Sequence, residues 1–305
     1  MNFADKLLEA SKEKNSALVA GLDPDLNCFP DFLKQEIHNE SYQDIEESIF
    51  YFNKIVIDSI SDFALAVKPQ FAFYELYGSY GIRALEKTIQ YAKSKGLFVI
   101  NDAKRGDIDS TSLAYARAHL GNGPISSDMV TVNPFLGKDG YNPFIKIAKE
   151  NNRGLFLLLK TSSPSAGEIQ DLKLIDGRMV YQKMASTFSE LTKTTLGDNN
   201  YSFIGFVVSA TYPSVGKEIR ELLPNSIFLV PGLGFQGGKA EDLQVFFDKN
   251  GNGAVISSSR GITYAYMKEK ENWESISENE MKSYIRNRAL KDYLDINKVR
   301  IMTRG

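Results

Sequence analysis

The chain is expected to fold as a single (β/α)8 TIM barrel across residues 1–305, with a C-terminal helical extension. Three observations predict this. Short apolar runs of strand length recur eight times, segments with helical periodicity lie between them, and no linker or low-complexity stretch divides the chain. Parallel strands covered on both faces read as unbroken apolar runs. Strands alternating with helices argue for a barrel over a sandwich or a bundle.

The strands are expected at 17–22, 65–68, 98–102, 129–133, 154–160, 204–209, 227–230 and 253–257. Between the first two, 42–60 sets Ile45, Ile49, Phe52, Val56 and Ile60 near one helical stripe. Segment 82–92 repeats the pattern with Ile82, Leu85, Ile89 and Ala92. Further helices are expected at 110–120, 143–150, 179–194, 215–223 and 240–247. The stretch 272–305, with Trp273 and several basic residues, reads as the helical extension, its Lys and Arg forming a solvated face.

Barrels carry their chemistry where strands end and the following loops begin. The first strand ends Gly21-Leu22-Asp23, the second Val67-Lys68-Pro69, and the third Asp102-Ala103-Lys104-Arg105-Gly106-Asp107. The fifth runs into Lys160-Thr161-Ser162-Ser163-Pro164, the seventh into Pro231-Gly232-Leu233-Gly234-Phe235-Gln236-Gly237-Gly238, and the eighth into Ser257-Ser258-Ser259-Arg260-Gly261. An isolated D-x-K-x-x-D is most often a solvated ion-pair cluster. Polar groups at so many ends of one barrel change that reading.

Side chains two apart on a strand share a face, so Asp102 and Lys104 are expected to point the same way. Gly106 then breaks the strand and lets Asp107 swing back toward them. Two carboxylates beside one lysine favour its protonated form. Such a lysine is a proton donor rather than a Schiff-base nucleophile. The glycine-rich turns follow strands seven and eight, where barrels commonly bind phosphate. Gly237 and Gly238 can turn bare N–H groups to an anion, Gln236 adds an amide donor, and Arg260 adds a permanently charged clamp. A phosphorylated small molecule is the expected ligand.

Composition excludes several classes. Hydrophobic residues at 43% and charged residues at 24% are ordinary for a globular protein, and a net charge of −2 gives no attraction to nucleic acid or to a membrane surface. Cys28 is the single cysteine, so neither an internal disulfide nor a CxxC zinc site is possible. His38 and His119 sit far apart in helix-like stretches, which argues against a His-rich metal site or a Ser-His-Asp triad. Asp5 and Glu9 stand where a signal peptide would be basic and apolar, and the apolar runs fall short of a membrane span. A cytoplasmic enzyme is expected.

At this point the chain resembles a known family, orotidine 5'-phosphate decarboxylase, from Asp23 to Gly261. The resemblance rests on Asp102-x-Lys104-x-x-Asp107, Lys68-Pro69, Pro231-Gly232-x-Gly234-x-Gln236-Gly237-Gly238 and Arg260-Gly261. With Asp107-Ile108 leading to Thr111, it looks most like the longer bacterial branch. The resemblance implies conversion of orotidine 5'-monophosphate to UMP, without metal or cofactor. It implies that Asp23 and Lys68 bind the ribose hydroxyls, that Asp102 lies beside the substrate carboxylate, and that Lys104 donates the proton. Asp107 and Thr111 would reach into a neighbouring subunit's site, making a homodimer with shared sites. Ser162 would meet the pyrimidine, with Thr161 and Ser163 flanking it and the choice among the three hydroxyls left open. Gln236 and Arg260 would hold the phosphate, beside the backbones of Gly237, Gly238 and Gly261.

Other activities compete. The 3-keto-L-gulonate 6-phosphate decarboxylases share D-x-K-x-x-D but place a metal-holding carboxylate at the second strand, where this chain has Lys68. A Schiff-base aldolase is disfavoured by the acidic neighbours of Lys104. A non-catalytic nucleotide-binding barrel would not need a lysine set between carboxylates.

Overall fold

The apolar runs do become the strands of a closed barrel. In this computed structural model, residues 1–35, 37–38, 41–232 and 241–303 are described. The strands are β1 (Leu18–Leu22), β2 (Ala66–Pro69), β3 (Phe98–Arg105), β4 (Met129–Val132), β5 (Gly154–Lys160), β6 (Ser202–Val208), β7 (Ser226–Pro231) and β8 (Ala254–Ser258). They pair in chain order, all parallel, and β8 returns to β1 with Leu18 opposite Ile256. Every residue of β1, β2, β4, β6 and β8 is buried, which is why their sequences do not alternate. Gly205 on β6 is needed for packing, since a Cβ there would stand 2.4 Å from the Ile227 carbonyl oxygen and 2.6 Å from the Phe156 ring.

Between the strands run the helices Tyr42–Ile60, Gly78–Ser94, Asp109–Leu120, Lys138–Glu150, Val180–Lys193 and Pro213–Leu222. The Tyr42–Ile60 helix starts at Ser41, whose hydroxyl accepts from the Asp44 N–H. A further helix, Phe3–Glu13, precedes β1 and carries a capping box between Asn2 and Asp5.

Several expectations are corrected. The fourth crossover helix begins at Lys138, five residues before Pro143. Proline is favoured at a helix start because its missing N–H is unpaired there anyway. Here Pro143 lies inside the helix and forgoes one bond. Residues Glu241–Phe246 form a 3-10 helix rather than an α-helix. His38 lies in the coil before Tyr42 rather than in a helix.

The extension holds a 3-10 turn, Trp273–Ser275, and the long helix Glu278–Met302, started by a Ser277–Glu280 capping box. Its basic residues are not simply a solvated face. Arg300 is 2% exposed and donates to the Gly251 carbonyl, Asn297 and the Ser11 hydroxyl. Arg286 pairs with Asp62 at the end of the Tyr42–Ile60 helix. Arg288 pairs with buried Asp292.

Candidate active site

At the C-terminal end of the strands lies a cavity of about 400 Å³, large enough for a small-molecule ligand. Its floor holds Asp23 from the end of β1, Lys68 from β2, Asp102 and Lys104 from β3, and Thr131 from β4. Ser162 follows β5 and Arg260 follows β8.

Asp102 is the centre of the charge network. Its Oδ2 accepts from Lys68 Nζ at 2.6 Å and Gln70 Nε2 at 3.0 Å. Its Oδ1 accepts from Lys104 Nζ at 2.6 Å and the Thr131 hydroxyl at 3.0 Å. Burial alone would push this carboxyl up, but the two ammonium groups and their hydrogen bonds hold it well below the usual carboxylate range. Lys68 is equally buried. Burial disfavours its charge, yet Asp102 and Asp23 overcome that and raise its pKa. Asp23 is the counterweight. Burial pushes its carboxyl up against the pull of Lys68, and Oδ1 has no hydrogen-bond partner among the described residues. An unpartnered buried carboxylate oxygen at a cavity wall is available to a ligand hydroxyl.

Local backbone geometry makes these contacts. The expected convergence of Asp102 and Lys104 occurs, but not by regular strand alternation. The pairing of β3 with β4 shifts between Asn101 and Arg105, and Lys104 takes a φ of +48°. Its N–H donates to the Thr131 hydroxyl at 2.9 Å instead of to the neighbouring strand's backbone. Around Asp23, the Tyr264 hydroxyl donates to the Asp23 carbonyl at 2.5 Å and accepts from the Asp25 N–H at 2.8 Å. Gly21 lets the ends of β1 and β8 close together, because a Cβ there would stand 1.9 Å from the Ser259 hydroxyl oxygen.

The second carboxylate of the motif does not join the group. Asp107 accepts from the Ile108 N–H, does not line the cavity, and forms no ion pair with Lys104 among the described residues. Thr111 is exposed, and neither it nor buried Gly261 lines the cavity. Gln236, Gly237 and Gly238 lie outside the described residues. Of the three hydroxyls after β5, Thr161 is engaged by both ends of the Gln170 amide, and Ser163 does not line the cavity. Ser162 lines it with a hydroxyl that has no partner among the described residues.

Thr131 and Gln70 were missed from sequence. Each is the polar residue at or just past the end of a strand, and that position was the available signal. Among the described residues no cluster of three His, Cys, Asp or Glu side chains could hold a metal, and no helix is long and apolar enough to cross a membrane.

The closed parallel barrel and the charged cavity at its C-terminal mouth define a (β/α)8-barrel enzyme. A profile of the Orotidine 5'-phosphate decarboxylase / HUMPS family matches residues 52–276. The chain is 39% identical over 306 residues to the orotidine 5'-phosphate decarboxylase of Caldicellulosiruptor bescii, covering 97% of this chain and 98% of that one. It is 40% identical over 275 residues to that of Rhodopirellula baltica, covering 88% and 91%. The solved OMP decarboxylase of Leishmania donovani superposes with a TM-score of 0.75 at 27% identity, covering 99% of this chain and 100% of that one. This chain belongs to the Orotidine 5'-phosphate decarboxylase / HUMPS family.

Proposed function

We propose that this chain decarboxylates orotidine 5'-monophosphate to UMP in pyrimidine biosynthesis, in the cytoplasm, with Lys104 as the proton donor. The observation that carries the reading is the Asp102 carboxylate held between the ammonium groups of Lys68 and Lys104. When the C6–carboxylate bond breaks, CO2 leaves and its electron pair stays on C6. The Lys104 ammonium stabilises that charge and then transfers a proton to C6. Lysine regains its proton from solvent. Asp102 keeps the ammonium in place, and its own charge disfavours the substrate carboxylate in the ground state.

The remaining residues bind. Asp23, with its free oxygen, and Lys68 take the ribose hydroxyls. The Ser162 hydroxyl takes the pyrimidine. Arg260 holds the phosphate together with Gln236, Gly237, Gly238 and Gly261. Binding energy from the remote phosphate can order the site and exclude water. Lys68 at the end of β2 supports this activity over a metal-assisted sister reaction, since an ammonium there would repel a cation.

Asp107 and Thr111 serve the site of a second copy in a homodimer. Their position outside their own cavity supports this, and so does the apolar surface around them. Ile108, Phe135 and Leu136 are exposed, Phe135 at 80%. Exposed apolar patches of this kind mark association sites.

The test is turnover of orotidine 5'-monophosphate to UMP by the purified chain, before and after exhaustive chelation. Activity in both is expected. No turnover overturns the reading. Loss on chelation with rescue by magnesium would move it to the metal-assisted reaction.

A further inference from the structure

The helix Glu278–Met302 begins beyond residue 276, where the family match ends, yet it holds the end of β8, the strand that leads into Arg260. Ser257 and Ser259 line the cavity, and Ser258 between them faces the other side of the barrel wall. There the Ser258 hydroxyl donates to Asp292 Oδ2 at 2.7 Å. The other oxygen, Oδ1, accepts from Arg288 Nε at 3.0 Å and lies 3.0 Å from Nη2. That guanidinium lies beside the residue after Arg260, since a Cβ on Gly261 would stand 3.7 Å from Nη2. Ser258 is 1% exposed and Asp292 3%.

A buried carboxylate is a costly way to attach a helix to a barrel. Apolar side chains of similar volume would pack there at least as well. What the carboxylate adds is direction, because hydrogen bonds fix where the Ser258 side chain stands. Its immediate successors on the chain, Ser259 and Arg260, form the cavity wall.

We propose that Asp292 is a positioning residue for the phosphate end of the site, acting through Ser258 and Arg288 to fix the β8 terminus on which Arg260 is presented. This rests on the proposed reaction and assigns a role in it to the C-terminal helix. Asp292 touches no substrate. Its effect is confined to groups that follow β8, so the part of the substrate it serves is the phosphate and not the ring.

The experiment compares wild type with Asp292→Asn and Ser258→Ala. Steady-state kinetics are measured on orotidine 5'-monophosphate and on orotidine, which lacks the phosphate, and inorganic phosphate binding is measured by calorimetry. Losing a buried hydrogen-bond partner here should raise KM for the nucleotide and the Kd for phosphate by ~10-fold each. The kcat/KM for orotidine should be unchanged. Equal losses on both substrates would show a purely structural clamp and overturn the proposal, as would unaltered phosphate binding in both folded variants. Should Asp292→Asn fail to fold, Ser258→Ala, which removes one hydroxyl, carries the same test. A wild type that binds phosphate but does not turn over the nucleotide would sink the proposed reaction, while the phosphate measurement would still decide the role of Asp292.

Discussion

The Lys104 ammonium reaches Oδ1 of Asp102, two residues earlier on the same strand, at 2.6 Å, from a backbone in the left-handed region at φ +48°. A bulky residue in that conformation costs of order 1–3 kcal/mol and persists only where its surroundings hold it. Here the Thr131 hydroxyl does so, accepting from the Lys104 N–H and donating to the same Asp102 oxygen. Donor lysine, carboxylate and hydroxyl thus form one closed unit across β3 and β4.

Lys104→Ala should abolish most turnover, at least ~100-fold, because general acid catalysis contributes on that scale. UMP binding should stay measurable by calorimetry. Wild-type kcat in this variant would remove Lys104 as the proton donor.

Thr131→Val keeps the volume and loses both hydrogen bonds of the hydroxyl. We expect kcat on orotidine 5'-monophosphate to fall by roughly 10-fold, the scale of a buried hydrogen bond lost, with a smaller change in KM. An effect on KM alone would mean that Thr131 does not position Lys104.

Arg260→Ala should raise KM by roughly 10- to 100-fold and lower kcat as well, since a charged contact is worth ~1.5–3 kcal/mol and binding energy from a remote group can be spent on the chemical step. Orotidine, without its phosphate, should be turned over at the wild-type rate. Equal losses on the two substrates would place the phosphate elsewhere.

Lys104→Ala and Asp107→Asn should each be inactive alone and complement when mixed. In a mixed dimer with shared sites, one site collects both lesions and the other collects none. Random pairing of equal amounts makes half the dimers mixed, so about a quarter of wild-type activity should return. No recovery after demonstrated subunit exchange would mean that Asp107 serves its own chain.

Acid should destabilise the protein through His119. The Asn101 amide donates to the Ile125 carbonyl and faces His119 Nδ1 at 3.1 Å, so that nitrogen must accept and the ring must stay neutral. Burial, helped by Arg105, lowers its pKa from 6.5 to about 3. Below pH 6.5 the unfolded chain takes up a proton that the folded chain refuses until about pH 3. Stability therefore falls as pH drops through that window, by up to about 1.4 kcal/mol per pH unit, and this contribution is flat above it. His119→Gln keeps an acceptor without the titration, so its melting temperature should vary less between pH 6.5 and 4. An unchanged pH slope would contradict the assignment.

Much of the barrel is written locally. A strand buried on both faces reads as a mostly apolar run without alternation, so β5 is legible at 154–160 and β1 within one residue of 17–22. Barrel topology then brings the strand ends together, which is why Asp23, Lys68, Asp102, Lys104, Ser162 and Arg260, each at or just past a strand end, line one cavity. What sequence could not decide depends on contacts between distant residues. The shift that turns Lys104 onto Asp102 is made by Thr131 on the next strand. The tie between Gln170 and the Thr161 hydroxyl, which lines the cavity beside Ser162, is likewise a contact between residues nine apart. Asp107 reads like a third member of the cluster, but its backbone carries it outside its own cavity. Arg300 and Asp292 look like surface charges on a polar helix until the barrel packs against them. Apolar periodicity is a property of neighbours along the chain, whereas the partner of a buried polar group is chosen by whatever the fold brings within about 3 Å.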